Sequence, residues 1–383
     1  MIDVAVIGSG YGGAVVAARL ARHARVLLIE RGAWWRPGDF PETMGGLARA
    51  YMGRDNPGGL WSMRLGVGTG LAFASAFGGS SAVNYGITAR PDDHAFAGWP
   101  VTAHELARWF ARAERELEAS PNPRAAELPD RAVLDELEPG CRVDLENTID
   151  WASCDHCGKC VPGCNRGAKR SLDRTYLAHA LRNGVELRLR TEVRSLAAVA
   201  GGYRLELVGK GGTEWVSARR VVLAAGALGT LDLLHRSRVP LGPLFGRRMS
   251  MNGDGLAFLY DTRRPLATHD GADPVMQFAA ARLRAWAERI GGVVVPDVAT
   301  LPGMRSFSVH PLGGCRMGAD ISDGVVDGVG RVFDPSGGVH PGLRIADGSV
   351  LRGSLGVPPS LTIAALSERI AADLERELAT RAP

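Results

Sequence analysis

The chain has 383 residues, 45% hydrophobic and 22% charged, a globular composition with length enough for one large domain and a smaller one. Its 45 basic and 41 acidic side chains leave a net charge of +4, with the arginines spread over stretches such as 103–119 and 279–287, so no concentrated basic patch marks a nucleic-acid partner. No run approaches the roughly 18–20 apolar residues of a membrane helix, and Asp3 interrupts the N-terminal apolar run, so neither a membrane span nor a signal peptide is expected and the protein is read as cytoplasmic.

In chain order, residues 1–31 read as a β-α-β unit: strand Val4–Ile7, loop Gly8-Ser9-Gly10-Tyr11-Gly12-Gly13, helix Ala14–Arg22, strand Val26–Ile29, then Glu30. The spacing G-x-G-x-x-G gains meaning from this context. Gly8 permits the tight turn, Gly10 lets a pyrophosphate approach the backbone, and Gly13 lets the helix pack on the strand, while the helix N-terminus offers free N–H groups and a favourable dipole. Glu30 at the end of the second strand is placed to accept hydrogen bonds from a ribose. A second glycine-rich turn, Ala76–Asn84, contains Gly78, Gly79, Ser80 and Asn84. An amphipathic helix over 103–118, a polar proline-containing linker through Asp130, and a cysteine-rich loop follow. The alternation over 185–208 predicts an antiparallel hairpin closed by Gly201-Gly202. The run Val221–Thr230 predicts a buried strand entering a tight turn at Ala225-Gly226, and residues 361–380 carry the apolar spacing of a packed terminal helix.

The cysteine loop points to a second cofactor. Cys154, Cys157, Cys160 and Cys164 are spaced C-x2-C-x2-C-x3-C, which lets consecutive thiolates wrap a [4Fe-4S] cluster because each short gap turns the next sulfur inward. Zinc competes, although structural zinc sites usually combine two short pairs from separate segments. A disulfide-stapled loop is the third reading and needs an oxidising compartment. Cys141 and Cys315 are left as free thiols.

Taken together, the first glycine loop, the Ala76–Asn84 turn, Val221–Thr230, Val309-His310-Pro311-Leu312-Gly313-Gly314-Cys315 and Leu343–Ser349 resemble the glucose-methanol-choline (GMC) flavoprotein oxidoreductases, most closely their bacterial cholesterol-oxidase-like branch. The resemblance follows the whole chain in order. It implies an α/β fold with a Rossmann-type FAD-binding domain assembled from residues 1–90, 171–254 and 305–383, and a reduced cap from 91–170 and 255–304. It also implies that Gly8, Gly10, Gly13 and Glu30 hold the ADP half of FAD, that Gly78, Gly79, Ser80 and Asn84 pass the flavin and pyrophosphate, and that Val193 meets the adenine. Ala225-Gly226 would belong to the cofactor turn, and Asp347 would lie beside the ribityl chain. Covalent members carry a histidine in the segment matching 65–75; none is present here, so the FAD is expected to be noncovalent.

By the same resemblance His310 is the acid/base for a CH–OH substrate, a task to which imidazole is matched near neutral pH. Two departures stand out. Pro358 occupies the position of the family's second active-site histidine or asparagine and brings neither a side-chain donor nor an N–H; Ser360 is a nearby hydroxyl that could replace it or simply cap a helix. The stretch from 255 to His310 is short for a substrate domain; it contains His269, Asp270, Asp273 and Glu288, to which no role is assigned. A small cap suits a bulky or carrier-presented substrate. Pairing FAD with a cluster would favour a dehydrogenase handing electrons to a ferredoxin or quinone over an oxidase. A redox-neutral flavoprotein isomerase and an electron-transfer flavoprotein without its own small-molecule substrate are the alternatives.

Overall fold

A computed structural model describes residues 1–53, 55–66, 69–125, 146–252, 258–260, 293–295 and 306–380, together with Ala285, Glu288 and Arg289. Cys141, His269, Asp270 and Asp273 lie outside the described residues; Glu288 is exposed.

The central sheet forms where the sequence is apolar without interruption. Strands Ile2–Ile7 and Val26–Ile29 are buried on both faces, as expected of parallel strands covered by helices. Ile2–Ile7 lies between Val26–Ile29 and Gly212–Leu223, parallel to both, and the sheet continues in parallel to Glu186–Arg188 on one side and Val339–Ile345 on the other. Arg331–Phe333 closes the far edge in antiparallel pairing. Gly212–Leu223 serves two structures: its second half joins the parallel core, while its first half pairs with Gly202–Gly209, which pairs in turn with Glu192–Val199. The hairpin predicted around Gly201-Gly202 is therefore present as two strands of a three-strand meander.

Two helices cover one face. Helix Tyr11–Leu20 buries Ala14, Val15, Val16, Ala17 and Leu20 completely and packs against the C-terminal helix Ser360–Ala379. A fully buried Val or Leu side chain of this kind contributes roughly 1.5–3 kcal/mol. The first helix also lies so close to the end of strand Val339–Ile345 that a Cβ on Gly12 would stand 1.4 Å from the Ala346 carbonyl oxygen, so only glycine fits. Glu368, wholly buried on the C-terminal helix, accepts from the Tyr176 hydroxyl at 2.7 Å and forms ion pairs with Arg19 and, at 3.0 Å, Arg112. One carboxylate thereby joins the first helix, the terminal helix and helix Ala103–Glu116; burial beside Glu368 pushes the Tyr176 hydroxyl pKa well up. Helix Ala103–Glu116 begins in a capping box, Thr102 with Glu105, and presents Leu106, Phe110 and Ala113 to the core.

A smaller, three-stranded sheet stands apart from the central one. Trp61–Gly66 and Thr69–Ala74 form a hairpin, and Ser306–Ser308, which leads into His310, runs parallel to Thr69–Ala74. Among the described residues no helix is long and apolar enough to cross a membrane.

Candidate active site

The first glycine loop is built from glycines of two kinds. A Cβ on Gly8 would lie 2.3 Å from the Ala224 carbonyl oxygen, and one on Gly13 would lie 1.9 Å from the Gly8 carbonyl oxygen, so these glycines let backbone pack on backbone. Gly10 differs: it is extended (φ −66°, ψ −172°), and a Cβ there would meet nothing within 4 Å. It caps helix Tyr11–Leu20 without a side-chain hydrogen bond, leaving first-turn N–H groups for an anion in the open space beside it. This arrangement fits a dinucleotide pyrophosphate.

Glu30 and Ser9 fasten the surrounding turns. Glu30 Oε2 accepts from the Ser9 N–H at 3.0 Å and the Ser9 hydroxyl at 2.7 Å, and Oε1 accepts from the Gly32 N–H at 2.7 Å. A carboxylate offers about four acceptor sites, so roughly one remains for a ribose hydroxyl. Ser9 Oγ also accepts from the Gly78 N–H at 3.0 Å, which ties the second glycine turn to the first. Gly78 and Gly79 have φ +93° and +56°, and a Cβ on Gly79 would be 2.7 Å from Gly10 Cα, so the two turns meet through their glycines. Sequence reasoning passed over Ser9, whose only signal was a small hydroxyl residue between the two glycines.

The remaining expected cofactor residues are placed as follows. Ser80 is exposed; the neighbouring Ser81 is the buried hydroxyl of this turn, donating to Gly78 O at 2.7 Å and accepting from the Leu172 N–H at 3.0 Å. Val193 is buried at the start of the meander, two residues beyond Thr191, whose N–H donates to Glu30 O at 3.0 Å. Ala225 caps helix Gly226–Arg236, and Gly226 has φ +78° with open space where a Cβ would stand. Asp347 is buried, accepts from Thr230 Oγ1 at 2.5 Å and from the Ser349 N–H at 2.9 Å, and burial raises its pKa.

Asn84 is a junction. Its Nδ2 donates to the Tyr11 hydroxyl at 2.9 Å, its Oδ1 accepts from the Gly86 N–H at 3.0 Å, and its carbonyl accepts from Lys169 Nζ at 2.7 Å. Tyr11 interacts as well with Ser360, whose hydroxyl donates to Ile87 O at 3.3 Å. Ser360, the first residue of the terminal helix, is thus engaged with Tyr11 and with Ile87 O, and it does not cap that helix, whose N-cap is Pro359.

Lys169 joins the cysteine loop to this junction. It is 3% exposed and donates to Cys160 O at 3.0 Å as well as to Asn84 O; burial brings its pKa down to about 8, opposed by the nearby Cys160 and Cys164 thiols. Cys154, Cys157, Cys160 and Cys164 are all free thiols, which corrects the disulfide reading. Burial pushes the Cys160 thiol up, Lys169 opposes that, and the other three sulfurs add to the rise, so each of them is within electrostatic reach of Cys160. They match a metal or cluster site in kind. In position they do not: among the described residues no three His, Cys, Asp or Glu side chains converge as a metal-ligating group. The preformed four-thiolate cage expected for [4Fe-4S] or zinc is absent from this conformation. Its loop is held instead by other contacts. Asp155 accepts from the Cys157 N–H at 3.2 Å and from Arg166 Nε at 2.8 Å, His156 at φ +54° stacks on Trp151, and Cys157 faces solvent. Cys315 is fully buried and its pKa is driven well up by that burial, an inert thiol.

His310 is partly buried, and its N–H donates to Ser308 Oγ at 2.9 Å, just before strand Leu312–Gly314 pairs with Arg247–Ser250. Pro358 lies on the segment entering the terminal helix.

Known proteins match the chain nearly end to end. The GMC oxidoreductase N-terminal domain matches residues 56–250 and the C-terminal domain residues 267–367. Cholesterol oxidase of Acinetobacter baumannii is 24% identical, covering 96% of this chain and 93% of that one, in an alignment of 527 positions, so that enzyme carries segments this chain lacks. Long-chain-alcohol oxidase FAO4B of Arabidopsis thaliana is 28% identical over 65% of this chain, but that match spans 36% of the plant protein. Pyridoxine 4-oxidase from Mesorbium loti shares the fold, with a TM-score of 0.70, 16% identity and coverage of 98% and 99% of the two chains. The protein is a member of the GMC oxidoreductase family, an FAD oxidoreductase with a Rossmann-type cofactor domain.

Proposed function

We propose that this protein oxidises a CH–OH substrate to the carbonyl, with noncovalent FAD held by Gly8, Gly10, Gly13, Glu30 and the Gly78–Asn84 turn, and with His310 as the acid/base. When bound, the flavin supplies the acceptor for the carbinol hydride. The remaining work falls to the chain: the His310 imidazole receives the hydroxyl proton, the glycine turns and Glu30 orient the cofactor, and the partly buried contacts of Tyr11 with Asn84 and with Ser360 hold the second turn in place. What supports this reading is His310 in its His-Pro-Leu-Gly-Gly-Cys segment, which resembles the family's motif and falls within residues 267–367, the stretch matched to the family's C-terminal domain. The names of two relatives, cholesterol oxidase and long-chain-alcohol oxidase, support an alcohol-type substrate, small or presented by a carrier. Anaerobic mixing with cholesterol or 1-dodecanol should bleach the flavin of the wild type, and His310→Asn should keep its FAD but bleach at least about a hundredfold more slowly. A variant as fast as wild type would remove His310 from the role.

The electron outlet is the finer part of the proposal. Cys154, Cys157, Cys160 and Cys164 would hold a [4Fe-4S] cluster, with zinc as the alternative, in a loop that closes as the metal binds, since metal affinity and loop ordering are coupled. A cluster would offer one-electron transfer to a ferredoxin or quinone. Four free thiols on one loop, joined through Lys169 to the flavin turn, support it. Against it stand the absent cage and relatives named as oxidases, which favour oxygen as acceptor. Iron, sulfide, zinc and flavin analysis of anaerobically purified protein decides: about four irons with matching sulfide per FAD support the relay, whereas iron-free protein that makes peroxide supports an oxidase.

A further inference from the structure

The segments carrying His310 and Pro358 are far apart in sequence but are fastened to two adjacent residues, Met251 and Asn252. Asn252 is 7% exposed and holds a left-handed backbone, φ +60°. Its Nδ2 donates to Val357 O at 2.9 Å, its Oδ1 accepts from the Leu355 N–H at 2.9 Å, and its carbonyl accepts from Ser354 Oγ at 2.9 Å. Both ends of the amide bond the stretch leading to Pro358. One residue earlier, Met251 O accepts from Ser308 Oγ at 3.0 Å, and Ser308 Oγ accepts the His310 N–H at 2.9 Å. Ser308 is 1% exposed, so this relay is shielded from water.

The joint matters because of what Pro358 lacks. With a polar side chain at that position, two groups would hold a substrate hydroxyl, and a small error in backbone placement could be absorbed by either side chain. Proline has no side-chain donor and no N–H, so the hydroxyl is aligned on His310 only as well as the two backbone segments are aligned on each other. We infer that Asn252, acting with Ser308, is the positioning residue that sets His310 against the Val357–Pro358 wall; this rests on the reading of His310 as acid/base. Asn252 touches neither cofactor nor substrate in this role. It works through two backbones, and a displacement of about 1 Å at such a joint is enough to cost a large factor in rate.

Asn252→Gly is the informative variant, because glycine keeps the positive φ without strain and deletes only the clamp. Asn252→Asp is the second: it retains the acceptor for Leu355 and turns a carboxylate oxygen toward the Val357 carbonyl. Thr102→Ala, which breaks the distant capping box, is the destabilised control. In FAD-loaded protein labelled with nitrogen-15 histidine, the His310 imidazole signals are those lost in His310→Asn. Asn252→Gly should move those signals while those of the other histidines stay in place. With cholesterol or 1-dodecanol as reductant, its flavin-reduction rate should fall about tenfold or more with little change in half-saturation, with Asn252→Asp falling further and Thr102→Ala unchanged. Unmoved His310 signals in a folded, FAD-loaded Asn252→Gly overturn the inference, as does wild-type reduction. If instead His310→Asn itself reduces at the wild-type rate, the acid/base reading fails, and the imaging of His310 by its signals still decides whether the joint exists.

Discussion

Replacing Glu30 by glutamine tests the cofactor site at the carboxylate that fastens its turns. The carboxylate accepts three protein hydrogen bonds, two from Ser9 and one from Gly32, and every partner is a donor. The amide of glutamine keeps one oxygen and turns an NH2 toward donors. Its least costly orientation preserves the Ser9 pair and sets the NH2 against the Gly32 N–H, which removes one charge-assisted bond worth roughly 1.5–3 kcal/mol. That loss belongs to the protein without FAD and should appear as a lower unfolding free energy in urea. Binding suffers separately, because the remaining acceptor site, the one available to a ribose hydroxyl, has lost its charge; a further loss of about 1.5–3 kcal/mol corresponds to roughly a 10- to 150-fold rise in the FAD Kd. Equilibrium dialysis against FAD, with urea unfolding of the FAD-free protein alongside, reads the two effects independently. Wild-type stability together with a wild-type Kd would refute the account of Glu30 as both anchor of the turns and ribose acceptor.

The two kinds of glycine should respond in opposite ways. Gly10→Ala meets no protein atom within 4 Å, so the FAD-free fold should hold to within about 0.5 kcal/mol while FAD affinity falls sharply. Gly12→Ala sets a methyl 1.4 Å from the Ala346 carbonyl oxygen, and the expected outcome is loss of soluble, FAD-retaining protein, seen directly in the yield of yellow protein. Asp323 should govern part of the acid response: hydrogen bonds from Arg352 foremost hold its carboxyl at about 2, below the ordinary 3.8. A depressed carboxylate stabilises above its unfolded value, and that stabilisation is lost as pH falls through about 2, so the gap in urea stability between wild type and Asp323→Asn should be present at pH 5 and should shrink progressively below pH 4. Its size should be small, since the pair is partly solvated; a gap that does not change with pH would show the ion pair to be without weight.

How much could be read in advance depended on range along the chain. The β-α-β unit, its glycine loop, Glu30, the helix beginning at Thr102-x-x-Glu105, the Gly201-Gly202 hairpin and the terminal helix all rest on patterns within about twenty residues, where periodicity, capping and turn chemistry act directly. The order of the motifs along the chain identified the family, because that order fixes which loops share one end of a parallel sheet. Ser9, Lys169 and Asn252 were not legible in this way. Each is an unremarkable residue by type, and its meaning comes from a partner 69, 85 or 105 positions away. The cysteine spacing shows the reverse: a strong local pattern whose sulfurs the surrounding contacts of Asp155, Arg166 and Trp151 leave unconverged. Local pattern was enough for the Rossmann-type fold and the glycines of its first loop, because both are dictated by backbone sterics and local apolar period. Three-dimensional contact was needed to show that Gly79 closes on Gly10, that a buried lysine joins the cysteine loop to the second glycine turn, and that the segments of His310 and Pro358 hang from adjacent residues, because hydrogen bonds between distant segments exist only once the sheet has brought them together.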